Sequence, residues 1–131
     1  MDLLMVVQII LIGILLYLIY DNFKPVKGLQ HLSEKDVKER MKKSKNITLI
    51  DVRQPNEFRA SHIKGAVNIP LSQIKRKKTN IPVEREIILY CQTGIRSKQA
   101  AKVIKRRYKE IPIAHLKGGL YAWKGDTNSK K

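Results

Sequence analysis

One cysteine, Cys91, stands between the apolar run Ile87-Ile88-Leu89-Tyr90 and the segment Gln92-Thr93-Gly94-Ile95-Arg96-Ser97. A thiol becomes a strong nucleophile once it ionises. Two elements would place it for that work. A buried strand ending at Tyr90 delivers Cys91 to the carboxyl edge of a sheet, where sites form in open α/β folds. A helix beginning after the loop offers unpaired backbone N–H groups and partial positive charge. A loop curling toward that helix forms an anion cradle, a setting that favours the thiolate. Gly94 admits a backbone conformation that other residues resist, and Arg96 adds a fixed positive charge beside the loop. The expected chemistry is nucleophilic attack by Cys91, with charge on sulfur held by the backbone of Gln92, Thr93, Gly94, Ile95, Arg96 and Ser97. The alternative for a lone cysteine is an inert, buried hydrophobe. Its place at a strand end, before a glycine and a helix, brings the nucleophile level with that reading before the rest of the chain is weighed.

Other polar residues have quieter expectations. Asp51 closes an apolar stretch and is expected to hydrogen-bond loop backbone. Arg53 is expected to pair with Glu57 or to hold the neighbouring loop. His31 and His115 have no partners at metal-ligand spacing, so core or solvent is the expectation for both and no metal site is assigned. A single cysteine excludes an intramolecular disulfide and suits a reducing compartment.

The elements that must position these residues follow from patterning. Residues 29–32 form a short strand. Ser33 is an N-cap, with Asp36 three positions on, for an amphipathic helix to about residue 41. Residues 46–52, with Ile47, Leu49, Ile50 and Val52, make a buried strand that Pro55 ends. A short helix or turn covers 56–61, a strand 66–69 and one helical turn 71–74. Residues 86–90 are a strand, 92–96 a loop and 97–108 a helix. A last strand spans 113–116, the pair Gly118-Gly119 makes a turn, and a short helix covers 120–124. Strands alternating with helices imply an α/β layer fold with a mostly parallel sheet.

The N-terminus is of another kind. From Leu3 to Tyr20 there is no charged residue, and about 18 residues at 1.5 Å each match the thickness of a hydrocarbon core. The start lacks a basic residue, and no small-residue cleavage pattern follows the apolar run, so an uncleaved anchor is expected. All 27 Lys and Arg residues lie at or after Lys24, within a formal net charge of +16. The positive-inside tendency then puts the N-terminus outside and the domain in the cytoplasm of a single-pass cell-membrane protein. The same charge suits anionic lipid. It brings no zinc finger, helix-turn-helix or aromatic RNA-binding signature, and nucleic acid is not an expected partner. The expected organisation is an anchor helix over 1–23, a linker over 24–28, one domain over 29–124 and a disordered polar tail over 125–131.

The ordered set of motifs resembles the rhodanese family. Asp51-Val52-Arg53 with Glu57-Phe58, then His62-Ile63-Lys64-Gly65-Ala66-Val67-Asn68-Ile69-Pro70, then the loop from Cys91 to Ser97, Ala100-Ala101, and Gly118-Gly119 with Trp123 follow the family's order. The resemblance covers roughly residues 29–124. It implies a small parallel sheet flanked by helices on both faces, here preceded by one transmembrane helix. It implies a sulfurtransferase in which Cys91 accepts sulfane sulfur as a persulfide, with no cofactor, and in which His62 is structural. The partners to expect are a small anionic sulfur donor such as thiosulfate and a thiol or sulfur-acceptor protein. Four residues separate Cys91 from Arg96; the related phosphatases and arsenate reductases carry one more, which argues against phosphoryl chemistry. The alternative is a membrane-tethered binding or adaptor module without efficient turnover.

Overall fold

The computed structural model describes residues 2–129. Five parallel strands make the central sheet: β1 (Leu29–Leu32), β2 (Ile47–Asp51), β4 (Val67–Asn68), β5 (Glu86–Tyr90) and β6 (Ile113–Leu116), in spatial order β1-β6-β5-β2-β4. The helices are α1 (Leu3–Phe23), α2 (Glu34–Lys43), α3 (Pro55–Ala60), α4 (Leu71–Ile74) and α5 (Ile95–Arg107), with a 3-10 turn at Leu120–Ala122. The expected α/β architecture is present, with the sheet parallel throughout.

Side chains alternate across a strand with period two, and β5 uses both faces. Ile87 and Leu89 join the cluster that includes Ala100, Ala101 and Ile104 of α5 and Ile74 of α4. Ile88 and Tyr90 enter the opposite cluster with Val37 of α2, Leu49 and Leu116. A strand buried on both sides needs a continuous apolar run, which is why β5 was legible. The alternation also decides the site. Cys91, next after Tyr90, falls on the α5 face and packs in that cluster.

Helix α2 begins with a capping box, Ser33 and Asp36 each bonding the other's backbone N–H. Helix α5 starts earlier than the sequence suggested. Gly94, at φ +109°, is its N-cap, so Ile95 and Arg96 belong to the helix and the loop is shorter. Ser97, which suggested a helix start, turns its hydroxyl inward instead and is fully buried.

The tail departs from expectation. Residues 125–129 are ordered, and 130–131 lie outside the described residues, as does residue 1 of the expected anchor. Strand β7 (Thr127–Asn128) pairs antiparallel with β3 (His62–Ile63), a strand not foreseen. Polarity suggested disorder, but Trp123 fixes the exit. Its ring lies under the Lys38 ammonium at 5.2 Å, and its indole N–H donates to the Asp126 carbonyl. That lays the following residues along β3, where the Lys64 N–H also donates to the Asp126 carbonyl.

Helix α1 is long and apolar enough to cross a membrane, and none of its residues is buried. Its last turn meets α5: Lys98 Nζ donates to the Phe23 carbonyl at 2.9 Å, and Lys102 Nζ lies 3.3 Å from Asp21. Residues 24–28 lead to β1, with Val26 packed against the core.

Candidate active site

The sulfur of Cys91 sits at the carboxyl end of β5 with the residue 1 % exposed. The Gly94 N–H donates to Sγ at 3.0 Å. That bond depends on the left-handed φ of Gly94, a region closed to most L-residues. On the far side Sγ lies 3.6 Å from Ser97 Oγ, to which the thiol donates. The sulfur is thus held between a loop amide and a hydroxyl from the first turn of α5, whose N-terminus carries partial positive charge.

The loop carbonyls are gripped from a different part of the chain. The Leu120 N–H donates to the Cys91 carbonyl at 2.8 Å, and the Tyr121 N–H to the Gln92 carbonyl at 3.0 Å. These amides come from the 3-10 turn behind Gly118-Gly119. A Cβ at position 119 would fall 2.5 Å from the Cys91 oxygen and 2.6 Å from the Gln92 oxygen. Glycine there is required by this close approach of backbone to backbone.

Asp51 and Arg53 form a buried ion pair beneath the loop. The Asp51 carboxylate accepts from the Arg53 backbone N–H at 2.9 Å and from its guanidinium at 2.7 Å. The guanidinium also donates to the Ser61 carbonyl at 2.5 Å and to Gln92 Oε1 at 3.3 Å. Arg53 therefore holds the neighbouring loop, as one of the two expectations had it, but it does not pair with Glu57. Glu57 instead takes Arg96 in a bidentate bridge at 2.8 and 3.0 Å. Helix α3 turns Glu57 toward the start of α5, while Asp51 lies two residues from Arg53 and captures it first. Arg96 donates to Glu57 and thereby holds its carboxyl down to about 2. The fixed charge of Arg96 beside the loop is paired with Glu57, and both side chains remain about a third exposed.

Thr93 is exposed and Ile95 is 48 % exposed, so neither side chain closes over the sulfur. His62 is structural: its Nδ1 lies 2.7 Å from the Phe58 carbonyl and its ring stacks on Phe58 at 3.8 Å.

His115 and His31 lie in core and solvent as expected, but their link to the cysteine was not foreseen. His115 is buried, and its Nδ1 lies 3.0 Å from Ser97 Oγ while its Nε2 lies 2.7 Å from Nδ1 of exposed His31. A hydrogen-bonded chain therefore runs from Cys91 through Ser97 and His115 to the surface. Burial, followed by the nearby His31 and Lys98, pushes His115 down to about 4. It is neutral at physiological pH and able to orient the Ser97 hydroxyl. No local spacing reveals this link. The signal lies in strand pairing, since His31 and His115 are register partners in β1 and β6.

Comparison with known proteins agrees with this arrangement. The family model described as the rhodanese-like domain matches residues 33–126. The uncharacterized protein YqhL of Bacillus subtilis is 39 % identical over 127 residues, covering 97 % of this chain and 98 % of that one. A protein named sulfurtransferase from Allochromatium vinosum is 28 % identical over 96 residues, covering 72 % and 88 %. Among solved structures, the rhodanese-like domain of the Anabaena protein Alr3790 superposes with a TM-score of 0.65 at 26 % identity, covering 76 % of this chain and 78 % of that one. A cysteine loop framed by a strand end and a helix start, within a parallel sheet of this order and across the matched span, fixes the assignment: the chain belongs to the rhodanese-like domain family.

Proposed function

We propose that this protein is a sulfurtransferase that carries sulfane sulfur on Cys91. The observation that bears most on this reading is the setting of Sγ, between the Gly94 amide and the Ser97 hydroxyl at the start of α5. The Gly94 N–H already donates to sulfur and is placed to hold negative charge there; the Ser97 hydroxyl, which donates to the Gly94 carbonyl at 3.0 Å, turns from that carbonyl to do the same once the thiol proton has left. The sulfurtransferase name carried by a relative supports the same direction.

In the first half-reaction the Cys91 thiolate attacks the outer sulfur of thiosulfate. A Cys–S–S⁻ bond forms, the S–S bond of the donor breaks, and sulfite leaves with its electron pair. In the second, an acceptor nucleophile attacks the terminal sulfur and the Cys91 thiolate returns. Cyanide leaves as thiocyanate, and a thiolate leaves as a persulfide. Each step conserves charge. The Gly94 amide holds the sulfur, Asp51 and Arg53 brace Gln92 from below, and Glu57–Arg96 ties α3 to the helix that ends the loop. Because Arg96 is paired, anionic donors are drawn by the wider basic surface rather than by that one guanidinium.

We also read α1 as the membrane anchor over residues 2–23, with 24–28 as connector and the domain from 29 on the cytoplasmic side. The absence of Lys and Arg before Lys24 supports that orientation.

Initial-rate kinetics test the reaction. With thiosulfate and cyanide varied together, parallel double-reciprocal lines are expected, as two separate half-reactions demand. Intersecting lines, or turnover retained in Cys91→Ser, would overturn the mechanism.

A further inference from the structure

We propose that the cleft between the end of α1 and the flank of α5 binds the headgroup of one anionic phospholipid. This rests on the reading of α1 as a membrane anchor. The cleft measures about 820 Å³ and is amphipathic. Leu18 and Ile19 of the anchor line one side, half exposed and without core contacts. Lys24, Lys27, Lys75, Lys98, Lys102 and Arg106 supply its cations, and Asp21 is the one carboxylate among the lining residues.

Three observations select the occupant. First, six cations against one carboxylate leave a strong local excess of positive charge, and Asp21 is already engaged by Lys24 at 3.0 Å and Lys102 at 3.3 Å. An anion seated among the remaining ammonium groups relieves their mutual repulsion. Second, the cations gather where the apolar helix ends, the depth at which phosphates lie when such a helix fills the hydrocarbon layer. Each basic residue held near an anionic surface adds to the attraction there. Third, the apolar wall continues upward along α1, so an acyl chain has a surface beside the phosphate. A free phosphate uses only the first of these features; a phospholipid uses all three.

The site has a consequence for orientation. Helix α5 carries Ser97 in its first turn and Lys98, Lys102 and Arg106 along one flank. A lipid held on that flank fixes the domain against the bilayer by the same helix that frames the Cys91 loop. The anchor end is already tied to α5 through Phe23 and Lys98 and through Asn22 and Gln99.

The test uses the full chain in bilayer nanodiscs of phosphatidylcholine alone and of phosphatidylcholine mixed with phosphatidylglycerol. Native mass spectrometry of protein released from each then counts the lipids that stay bound. Wild type is expected to retain one phosphatidylglycerol, enriched over phosphatidylcholine by about tenfold or more relative to the bilayer. The triple variant Lys98→Gln, Lys102→Gln, Arg106→Gln is expected to lose that enrichment. A control with the same change in charge away from the cleft, Lys42→Gln, Lys43→Gln, Lys45→Gln, is expected to keep it. Equal retention in all three chains, or no enrichment in wild type, would overturn the cleft as the site. Displacement of the bound lipid by inorganic phosphate at millimolar concentration would show an anion site and overturn the lipid assignment. Failure of wild type to enter phosphatidylcholine nanodiscs would instead sink the anchor reading, and the proposal with it. Circular dichroism of each variant guards against misfolding; a Lys102→Arg chain, which keeps the charge, is expected to bind as wild type does.

Discussion

The sulfur of Cys91 is held by single atoms, and the sharpest expectations lie with the residues that own them. Gly94→Ala places a Cβ on a backbone at φ +109°, a strain of roughly 1–2 kcal/mol. Relief of that strain turns the amide away from Sγ. The expected outcome is a fall of about tenfold or more in kcat/KM for thiosulfate with a modest drop in melting temperature; unchanged kcat/KM would show that this amide does not hold charge on sulfur. Asp51→Asn tests the support below. It leaves the Arg53 guanidinium, 3 % exposed, without its counter-charge, and breaking a buried pair in this way costs about 3–5 kcal/mol. Urea unfolding is the measurement, and a loss under 1 kcal/mol would contradict the ion-pair account. At this scale the sequence was informative about Cys91 and its loop, because a strand, a thiol, a glycine and a helix are contiguous. It was poor on pairings. Arg53 had Asp51 and Glu57 as neighbours in sequence, and only the direction of α3 decides between them. The His115–Ser97 contact joins residues 18 positions apart through a helix and a strand, with no periodic trace.

Elements place those atoms, and most were legible. Strands β2 and β5 announce themselves as apolar runs because both faces are covered. Helix α2 is marked by its capping box, and proline or glycine punctuates the connections. What escaped were the elements whose residues carry no pattern. The two-residue strands β3 and β7 are held by backbone pairing and by the seat of Trp123. The start of α5 was misplaced by two residues because Ser97 has the chemistry of a cap yet serves the buried site. The turn at Gly118-Gly119 gives the clearest prediction at this scale. Gly119→Ala drives a Cβ into the Cys91 and Gln92 carbonyls. Both are backbone atoms and cannot swing aside, so the loop must move. Persulfide formation is expected to fall by a larger factor than the global stability lost, read by pairing donor kinetics with urea unfolding. A variant that keeps full activity would show that the 3-10 turn does not set the loop.

For the whole molecule, pH is a direct probe of how the parts are tied. His115 titrates near 4 in the folded chain, below its ordinary value of 6.5. The unfolded chain therefore binds more protons between those values, and stability falls as pH drops from 6.5 toward 4, by about 2 kcal/mol after allowance for solvent screening. Glu57, held near 2 against an ordinary 4.5, acts with the same sign at lower pH: its contribution is present above 4.5 and fades as pH falls toward 2. Urea midpoints from pH 7 to pH 4 are expected to decline in wild type and to decline less in His115→Asn; identical slopes would contradict the assignment to His115. The division of the chain into an apolar helix and a basic domain was visible in composition, whereas the meeting of Asp21 and Phe23 with α5 was not, since it depends on how the connector folds back. The central claim, that one cysteine carries the sulfur, is tested most directly by the intact mass of the full chain in detergent after incubation with thiosulfate and removal of excess reagent. A gain of one sulfur atom is expected, reversed by cyanide and absent in Cys91→Ser. A folded protein with a free thiol that gains no mass from thiosulfate or from a persulfide donor would contradict it.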